Sequence, residues 1–132
     1  MNRDDFHTLV VEEFPNAIPE KFRSKIKNVA FLIEDQPSLA VREQEGLSPG
    51  DTLLGLYHGI PHTARGDSYG VGPTLPDTIT LYQLPIEIAA NELGGGEEKL
   101  RNVIRDTIWH EIAHYFGMDE PEVRRREKKR GL

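Results

Sequence analysis

The sequence predicts an α+β fold in a single domain, and three observations support this prediction. Apolar residues recur at helical spacing near the N-terminus and again in residues 97–117. Between these helical segments lie three short segments whose apolar runs or strict alternation are typical of β-strands. The length of 132 residues fits one domain, which we take as residues 1–132. Helices at the ends with strands between them argue for the α+β class.

The first part of the chain is predicted to form two helices and one strand. Residues 4–14 place their apolar side chains at helical spacing, which indicates an amphipathic helix capped near Asn2 and ended by Pro15. Pro19 is suited to the first turn of a second, short helix. Residues 28–34 are apolar and β-branched, and these properties indicate a buried strand.

The middle of the chain is predicted to contain two strands and two irregular segments. Residues 37–51 are polar and punctuated by proline and glycine, which favours a loop. Residues 53–58 indicate a second strand, and the glycines and prolines that follow it disfavour regular structure. Residues 78–83 alternate apolar and polar side chains, which is the pattern of a third, half-exposed strand.

The remaining residues are predicted to be helical. Pro85 opens a helix over residues 86–93, and a run of three glycines ends it. Residues 97–117 keep a helical pattern for about five turns, up to Gly117. A further short helix is expected over residues 122–129, inside a basic tail of residues 124–132.

Composition and charge exclude several classes of protein. The chain has 0 cysteines, which rules out disulfides, thiolate metal sites and cysteine nucleophiles. Residues 124–130 hold six basic residues and one acid, a charge of +5. Since the net charge of the whole chain is −6, the other residues together carry −11. Such an acidic body repels nucleic acid. No apolar run spans a membrane and no secretory signal is visible, so we expect neither a membrane nor a nucleic-acid partner, and a cytoplasmic location.

The residues with the strongest chemical signal are two histidines one helical turn apart, His110 and His114, with Glu111 directly after the first. On a helix, the two histidines differ in direction by about 40°, so both imidazoles can bind one ion. Glu111 lies on the same side and can act on water as a general base. The apolar stripe of this helix predicts that the site is half-sheltered.

A third metal ligand is expected from the residues that follow this helix. Gly117 is suited to the left-handed conformation that ends a helix and turns the chain back. Two carboxylates follow, and we favour Glu120 as the third ligand, with Asp119 as the alternative. Asp106, one turn before His110, is a candidate to orient a ligand through a hydrogen bond.

Residues 110–120, HEIAHYFGMDE, resemble the extended motif of the minimal zincin-like metallopeptidases, a family of small bacterial proteins. The similarity continues upstream in residues 53–57, 65–66, 75–82 and 85–87 and covers most of the chain. The family motif usually has aspartate where this chain has Glu120. The resemblance implies a zincin fold with an active-site helix, a backing helix and a small mixed sheet. It further implies one catalytic Zn²⁺ and hydrolysis of peptide bonds in a peptide or unfolded protein.

Two further roles are expected of residues outside the motif. The third strand, with Thr78, Thr80 and Tyr82, can hold an extended peptide by strand addition. Hydrolysis of a peptide bond also needs a group that stabilises the oxyanion formed from the carbonyl oxygen. Four residues are candidates for this role, and the sequence does not distinguish among them. These are Tyr69, His62, Arg65 and Tyr82.

Two other readings of the chain compete with a peptidase. The first is a catalytically weak or inactive metal-binding module that holds a peptide or protein partner. The second is a protein in which zinc has only a structural role, and the presence of Glu111 argues against it, because a structural ion needs no base. The pair His58 and His62 is not a site by itself, because Gly59 and Pro61 exclude a helix there.

Overall fold

The structure is a computed structural model, and it describes residues 1–26, 29–59 and 77–117. These residues form five helices and three strands. In chain order they are α1 (Arg3–Ala17), α2 (Glu20–Arg23), β1 (Val29–Glu34), α3 (Leu39–Gln44), β2 (Gly55–His58), β3 (Asp77–Tyr82), α4 (Gln83–Glu92) and α5 (Glu97–Tyr115). This arrangement confirms the predicted α+β class.

The three strands form one mixed sheet with β3 in the centre, in the order β1-β3-β2. β1 pairs with β3 in parallel, and β2 pairs with β3 antiparallel. One residue of β3, Ile79, is therefore flanked by Phe31 on one side and Tyr57 on the other. Since β1 and β2 are the outer strands of this sheet, each leaves one edge of its main chain unpaired by another described strand.

The core lies between one face of the sheet and the helices. Ile79 and Leu81 of β3 are fully buried in it. The apolar stripe predicted for α5 is also buried, with Ile104, Ile108 and Ile112 at 0% exposure. Because α5 packs against α1, α4, β2 and β3, its C-terminal half is held firmly next to the sheet.

α1 is the backing helix, and buried charges join it to α5. The side chain of Glu13 is buried and accepts hydrogen bonds from Arg101 at 2.9 Å and from Arg105 at 3.0 Å. Burial raises the pKa of Glu13, but hydrogen bonds from Arg101, Asn16 and Arg105 and the charge of Arg105 outweigh it, so the pKa is lowered overall. The carboxylate is therefore held in its charged form between the two helices.

The first helix is longer than predicted. α1 begins at the Asn2 cap, as expected, but it continues past Pro15 to Ala17. Pro15 and Val11 both lie on the solvent side of the helix. Because proline has no N–H, it cannot donate to the carbonyl of Val11, and that carbonyl can bond to water instead. Burial of Ala17 and Ile18 in the core holds the last turn in place.

The segment predicted as a loop contains a short helix, so that prediction is wrong for six of its residues. α3 begins at Ser38, whose hydroxyl accepts a hydrogen bond from the N–H of Val41 at 3.2 Å. This is ordinary N-cap chemistry. The helix buries none of its residues, and the apolar periodicity that reveals a helix in a sequence is therefore missing.

Each of the three predicted strands is present with small shifts at its ends, and the helices that follow the third strand are α4 and α5. The expected burial of the first strand is wrong, because β1 is an outer strand and its side chains are half-buried or exposed. The expected helix over residues 122–129 lies outside the described residues. None of the helices in the described ranges has the length and apolarity that crossing a bilayer requires.

Candidate metal centre

The C-terminal half of α5 brings His110, Glu111 and His114 to one place. One ligand atom from each of these side chains lies within 4.8 Å of the other two. The two imidazole rings have their centroids 5.2 Å apart and meet edge to face. Both histidines are half-buried and Glu111 is 8% exposed, which confirms the predicted half-sheltered position.

The packing of α5 explains why these three side chains face the cleft. Ile108 and Ile112 are buried in the main core, while Trp109 is buried on another side of the helix against Phe22. With two sides of α5 fixed by packing, the helix cannot rotate, so the direction of the histidines is set. The helix ends at Tyr115, and Gly117 has φ of 77°, the left-handed conformation predicted for it.

The outer edge of β2 lies directly beside Glu111. The main-chain N–H of Tyr57 donates a hydrogen bond of 2.9 Å to Oε1 of Glu111. Gly55 makes this close approach possible. A Cβ at this position would lie 2.9 Å from Cγ2 of Thr107 and 3.2 Å from both Cγ of Glu111 and the carbonyl oxygen of Thr80. Only glycine lets the strand and the helix come this close.

A second contact fixes the other end of β2. The hydroxyl of Tyr57 donates a hydrogen bond of 2.7 Å to Oδ2 of Asp77, a carboxylate that is 3% exposed. The ring of Tyr57 also meets the ring of Tyr115 edge to face, at 6.2 Å between centroids. Gly59 passes so near Asp77 that a Cβ there would lie 2.5 Å from Cγ of the carboxylate. Tyr57 is therefore held by its side chain to β3 and to α5.

Two open cavities meet at the metal centre, and both are lined by Leu53, Gly55, His110 and Glu111. One, of about 500 Å³, extends along β2 toward the end of α5 and holds most of the polar groups of the site. The other, of about 470 Å³, extends between α4, α5 and the segment before β2. In addition to the four shared residues, the first cavity is lined by Glu45, Leu56, Tyr57, Gly59, His114 and Gly117, and the second by Thr52, Leu54, Ala89, Leu93, Val103, Asp106 and Thr107.

The structure corrects the role expected of Thr78 and Thr80. β3 is the central strand, so its main chain is already paired on both sides and is not available for strand addition. In addition, the side chains of Thr78 and Thr80 alternate with the buried Ile79 and Leu81, and so they lie on the face of the sheet opposite the core and α5. The outer strand that lies at the metal centre is β2, whose Tyr57 N–H bonds to Glu111.

The expected substrate contact of Tyr82 is corrected as well, since this side chain is buried at 1% exposure. Its burial, together with the negative charges of Glu34, Glu45 and Glu111, raises the pKa of its phenol. Tyr82 is therefore a buried, neutral side chain near three carboxylates. It does not line the cavities at the metal centre and cannot contact a peptide there.

The structure brings some of the other predicted residues to the site and leaves others undescribed. Asp106 is exposed, lies one turn before His110 on α5 and lines the second cavity. Five candidates lie outside the described residues: Glu120, Asp119, Tyr69, His62 and Arg65. Two further residues were not expected at the site. Asp77 accepts the hydrogen bond that holds Tyr57 of β2, and Glu45 lines the first cavity. No motif marks either residue, because their importance comes from contacts between distant parts of the chain.

The residues that are present fit a divalent metal ion. Two neutral imidazoles and carboxylate oxygen are the ligand types of catalytic zinc sites, which use three protein ligands and keep one position open. His110 and His114 supply the imidazoles; His110 lines both open cavities and His114 lines one of them. Ligands of these types occur in catalytic zinc sites, whereas structural zinc sites are usually closed by four protein ligands.

A comparison with known families agrees with this geometry. The model of a family described as zincin-like metallopeptidase matches residues 26–130 of the chain. The match includes β1, β2, β3, α4 and α5, and with them the whole metal centre. No curated protein matches the chain.

Proposed function

Because the chain belongs to the zincin-like metallopeptidase family, we propose that it is a zinc-dependent peptidase that hydrolyses peptide bonds with Glu111 as general base. The observation that supports this proposal most strongly is the meeting of His110, Glu111 and His114 at the edge of β2. In this proposal, these side chains supply the metal ligands and the base, and the neighbouring strand supports the peptide. The substrate in this proposal is a peptide or an unfolded protein, with no nucleic acid or membrane partner, and the location is cytoplasmic.

Each residue of the metal centre has a separate role in the proposal. His110 and His114 bind the ion, and Glu120 or Asp119 is the third ligand. When bound, zinc supplies a Lewis acid for the peptide carbonyl and lowers the pKa of water. Glu111 takes a proton from the attacking water and delivers it to the leaving amine nitrogen. Tyr69, His62 and Arg65 are the candidates that donate a hydrogen bond to the oxyanion.

The outer edge of β2 is the proposed support for the peptide main chain. The N–H of Tyr57 points away from β3, toward Glu111. Main-chain groups alternate in direction along a strand, so those of Gly55 also point outward while those of Leu56 and His58 face β3. The N–H of Tyr57 is already bonded to Glu111, so in this proposal an extended peptide pairs with the outward main-chain groups of Gly55, beside the metal centre.

Metal analysis and a single substitution test this proposal. Wild-type protein and Glu111→Gln are loaded with zinc, the zinc content is measured, and both are incubated with a mixture of unstructured peptides. We expect one zinc per chain in both proteins and a loss of hydrolysis of about 100-fold or more in the variant. Glu98→Gln, a matched change on the exposed first turn of α5, should keep full activity.

Two results would contradict a peptidase. Equal hydrolysis by wild type and Glu111→Gln would exclude Glu111 as the base. Full zinc occupancy without hydrolysis of any peptide in the mixture would favour the alternative, a metal-binding module that holds a peptide or protein partner without cleaving it.

A further inference from the structure

Asp77 is a buried carboxyl group to which the proposed reaction gives no role. It is the first residue of β3, and 3% of its surface is exposed. Burying an acidic side chain costs solvation free energy unless hydrogen bonds replace the lost water. The hydroxyl of Tyr57 donates one such bond, of 2.7 Å, to Oδ2 of Asp77. Replacing both members of a buried polar pair by apolar groups is often neutral in stability, so the pair has to be explained by the geometry that it fixes.

Tyr57 connects this carboxyl group to the metal centre, because it contacts both at once. Its side chain reaches Asp77, and its main-chain N–H donates a hydrogen bond of 2.9 Å to Oε1 of Glu111. The strand register explains this double contact. Tyr57 pairs with Ile79, and Asp77 lies two residues earlier on the same face of β3. The side chain of Tyr57 therefore lies on the core face of the sheet, while its N–H leaves the outer edge of β2 toward α5.

The side chain of Tyr57 is fixed at more than one point. Its ring meets the ring of Tyr115 edge to face, with 6.2 Å between centroids, and Tyr115 is a buried residue that follows His114 in α5. The acceptor is enclosed as well, since a Cβ at Gly59 would lie 2.5 Å from Cγ of Asp77. A phenol ring is rigid, so holding its hydroxyl against Asp77 limits the positions that the main chain of Tyr57 can take.

We propose that Asp77 is a positioning residue that acts through Tyr57 to orient the carboxylate of Glu111 at the metal centre. This inference rests on the proposed peptidase function, in which Glu111 is the general base, and adds to it a residue that lines neither cavity of the metal centre. Asp77 holds the hydroxyl of Tyr57, the rigid ring places the N–H, and the N–H holds one oxygen of Glu111. Misplacing a catalytic group by about 1 Å can cost about 100-fold in rate, so an indirect contact of this kind is sufficient to affect hydrolysis.

Three variants separate the hydrogen bond from the bulk of the side chains. Tyr57→Phe removes only the hydroxyl, and Asp77→Leu removes the acceptor while keeping a side chain of similar shape. Asp77→Asn keeps an acceptor oxygen for the hydroxyl and is the conservative variant. Ile86→Val is the control for lost stability, since Ile86 is fully buried on α4 but lines neither cavity of the metal centre.

Kinetics of the zinc-loaded protein are the first test, with a peptide that the wild type cleaves and at a temperature at which every variant is folded. We expect Tyr57→Phe and Asp77→Leu to lower kcat by about 10-fold or more, with KM and zinc affinity within about twofold of the wild type. The double variant should be no slower than the slower single variant, because both changes break the same link. Asp77→Asn and Ile86→Val should keep most of the wild-type kcat.

Amide hydrogen exchange in the zinc-free protein tests the same link without catalysis. The N–H of residue 57 points to Glu111, while those of Leu56 and His58 face β3. In Tyr57→Phe and Asp77→Leu, exchange at residue 57 should become about 5- to 10-fold faster. Exchange at Leu56 and His58 should not change. Glu111→Ala removes the acceptor and gives the rate of the unbonded amide, and Asp77→Asn should exchange as the wild type does.

The two measurements distinguish a failure of the positioning role from a failure of the proposed function. If the wild type cleaves no peptide but exchange at residue 57 responds as expected, the link from Asp77 to Glu111 stands and the peptidase does not. Wild-type exchange at residue 57 in both Tyr57→Phe and Asp77→Leu would overturn the inference, whatever the activity. Equal acceleration at residues 56, 57 and 58 would also overturn it, because Asp77 would then hold β2 as a whole. A loss of kcat in Tyr57→Phe no larger than that in Ile86→Val would have the same consequence.

Discussion

The main-chain N–H of Tyr57 donates a hydrogen bond of 2.9 Å to Oε1 of Glu111. This bond connects the outer edge of β2 to the helix that carries both histidines. The position of the strand and the orientation of the Glu111 carboxylate are therefore set together. One oxygen of Glu111 is held by the strand.

The approach of β2 to α5 predicts that Gly55→Ala is destabilising. The added Cβ would lie 2.9 Å from Cγ2 of Thr107 and 3.2 Å from the carbonyl oxygen of Thr80, so the strand must move away from the helix. We expect a loss of about 1–3 kcal/mol in the free energy of unfolding, measured by denaturant titration, together with reduced hydrolysis. Gly50→Ala is the control, since a Cβ there meets nothing within 4 Å.

A second substitution tests whether the Cβ added at residue 55 destabilises the protein through its contact with Thr107. Thr107→Ser removes the methyl group that the new Cβ would meet, and it keeps the hydroxyl that donates to the carbonyl of Val103 at 2.7 Å. In the Gly55→Ala background it should therefore restore part of the lost stability. The double variant is compared with the sum of the stability changes of the two single variants. If it is no more stable than that sum, contact with Thr107 is not the cause of the stability lost in Gly55→Ala.

The hydrogen bond between Tyr57 and Asp77 predicts a cost for Tyr57→Phe. Asp77 is buried, and removing the hydroxyl takes away a donor at 2.7 Å from its carboxylate. We expect the free energy of unfolding to fall by about 1–2 kcal/mol. Thr78→Val is the comparison, because it removes a longer bond of 3.5 Å between the same two strands, and it should cost less. A smaller loss for Tyr57→Phe than for Thr78→Val would contradict this account.

The lowered pKa of Glu13 predicts that acid weakens the contact between α1 and α5. In the unfolded chain this carboxyl has its ordinary pKa of 4.5, and in the folded protein the pKa is lower. The stability that Glu13 contributes is complete above pH 4.5 and is lost as the pH falls through the lower, folded pKa. We expect thermal melts between pH 6 and pH 3 to show a smaller decrease in Glu13→Gln than in the wild type.

The same substitution also has a cost at neutral pH. Glu13→Gln removes a charge that accepts hydrogen bonds from Arg101 and Arg105, and we expect the free energy of unfolding to fall by about 1–2 kcal/mol. Glu12→Gln, whose side chain is half exposed, should change stability much less. Equal acid sensitivity of wild type and Glu13→Gln would show that other carboxyl groups control the acid response.

Binding of zinc by the two histidines predicts a stabilisation that depends on metal. Zinc at 100 times its dissociation constant should raise the free energy of unfolding by about 2.7 kcal/mol, and a chelator should reverse this. His114→Ala should lose the effect, whereas His7→Ala, an exposed change on α1, should keep it. A melting temperature that does not respond to zinc in the wild type would contradict a metal site at His110 and His114.

The zinc measurement also tests the choice of third ligand. Glu120→Ala should weaken zinc binding sharply, by about 100-fold or more, and Asp119→Ala should have a small effect. The reverse order would assign the ligand to Asp119. Equal small losses in both variants would remove both residues from the ligand set.

The parts of the fold predicted from the sequence are those determined by local patterns. The apolar stripe of α5 and the spacing of His110 and His114 follow from helical periodicity, and both are present in the structure. The predicted end of α1 is wrong because burial of Ala17 in the core outweighs the tendency of Pro15 to end a helix. α3 was missed because a helix without a buried face carries no apolar period.

The order of the strands could not be predicted because it depends on pairing between distant residues. The alternation of residues 78–83 indicates a half-exposed strand, and this pattern is equally compatible with an edge and with a central position. The structure places β3 in the centre and β2 at the edge next to Glu111. The contacts of Tyr57 with Glu111 and Asp77 depend on that order, so no local pattern reveals them.

The central position of β3 has a consequence for the synthesis of the chain. β1 and β2 both precede β3 in the sequence, and within the described sheet each of them pairs only with β3. A nascent chain that ends before residue 77 thus exposes two apolar strands without their native partner, and such strands are prone to aggregate. The sheet closes only when β3 has been made, and α5 follows it directly. The polypeptide therefore gains its tertiary structure and the two histidines of its candidate metal centre in the same late stage of translation.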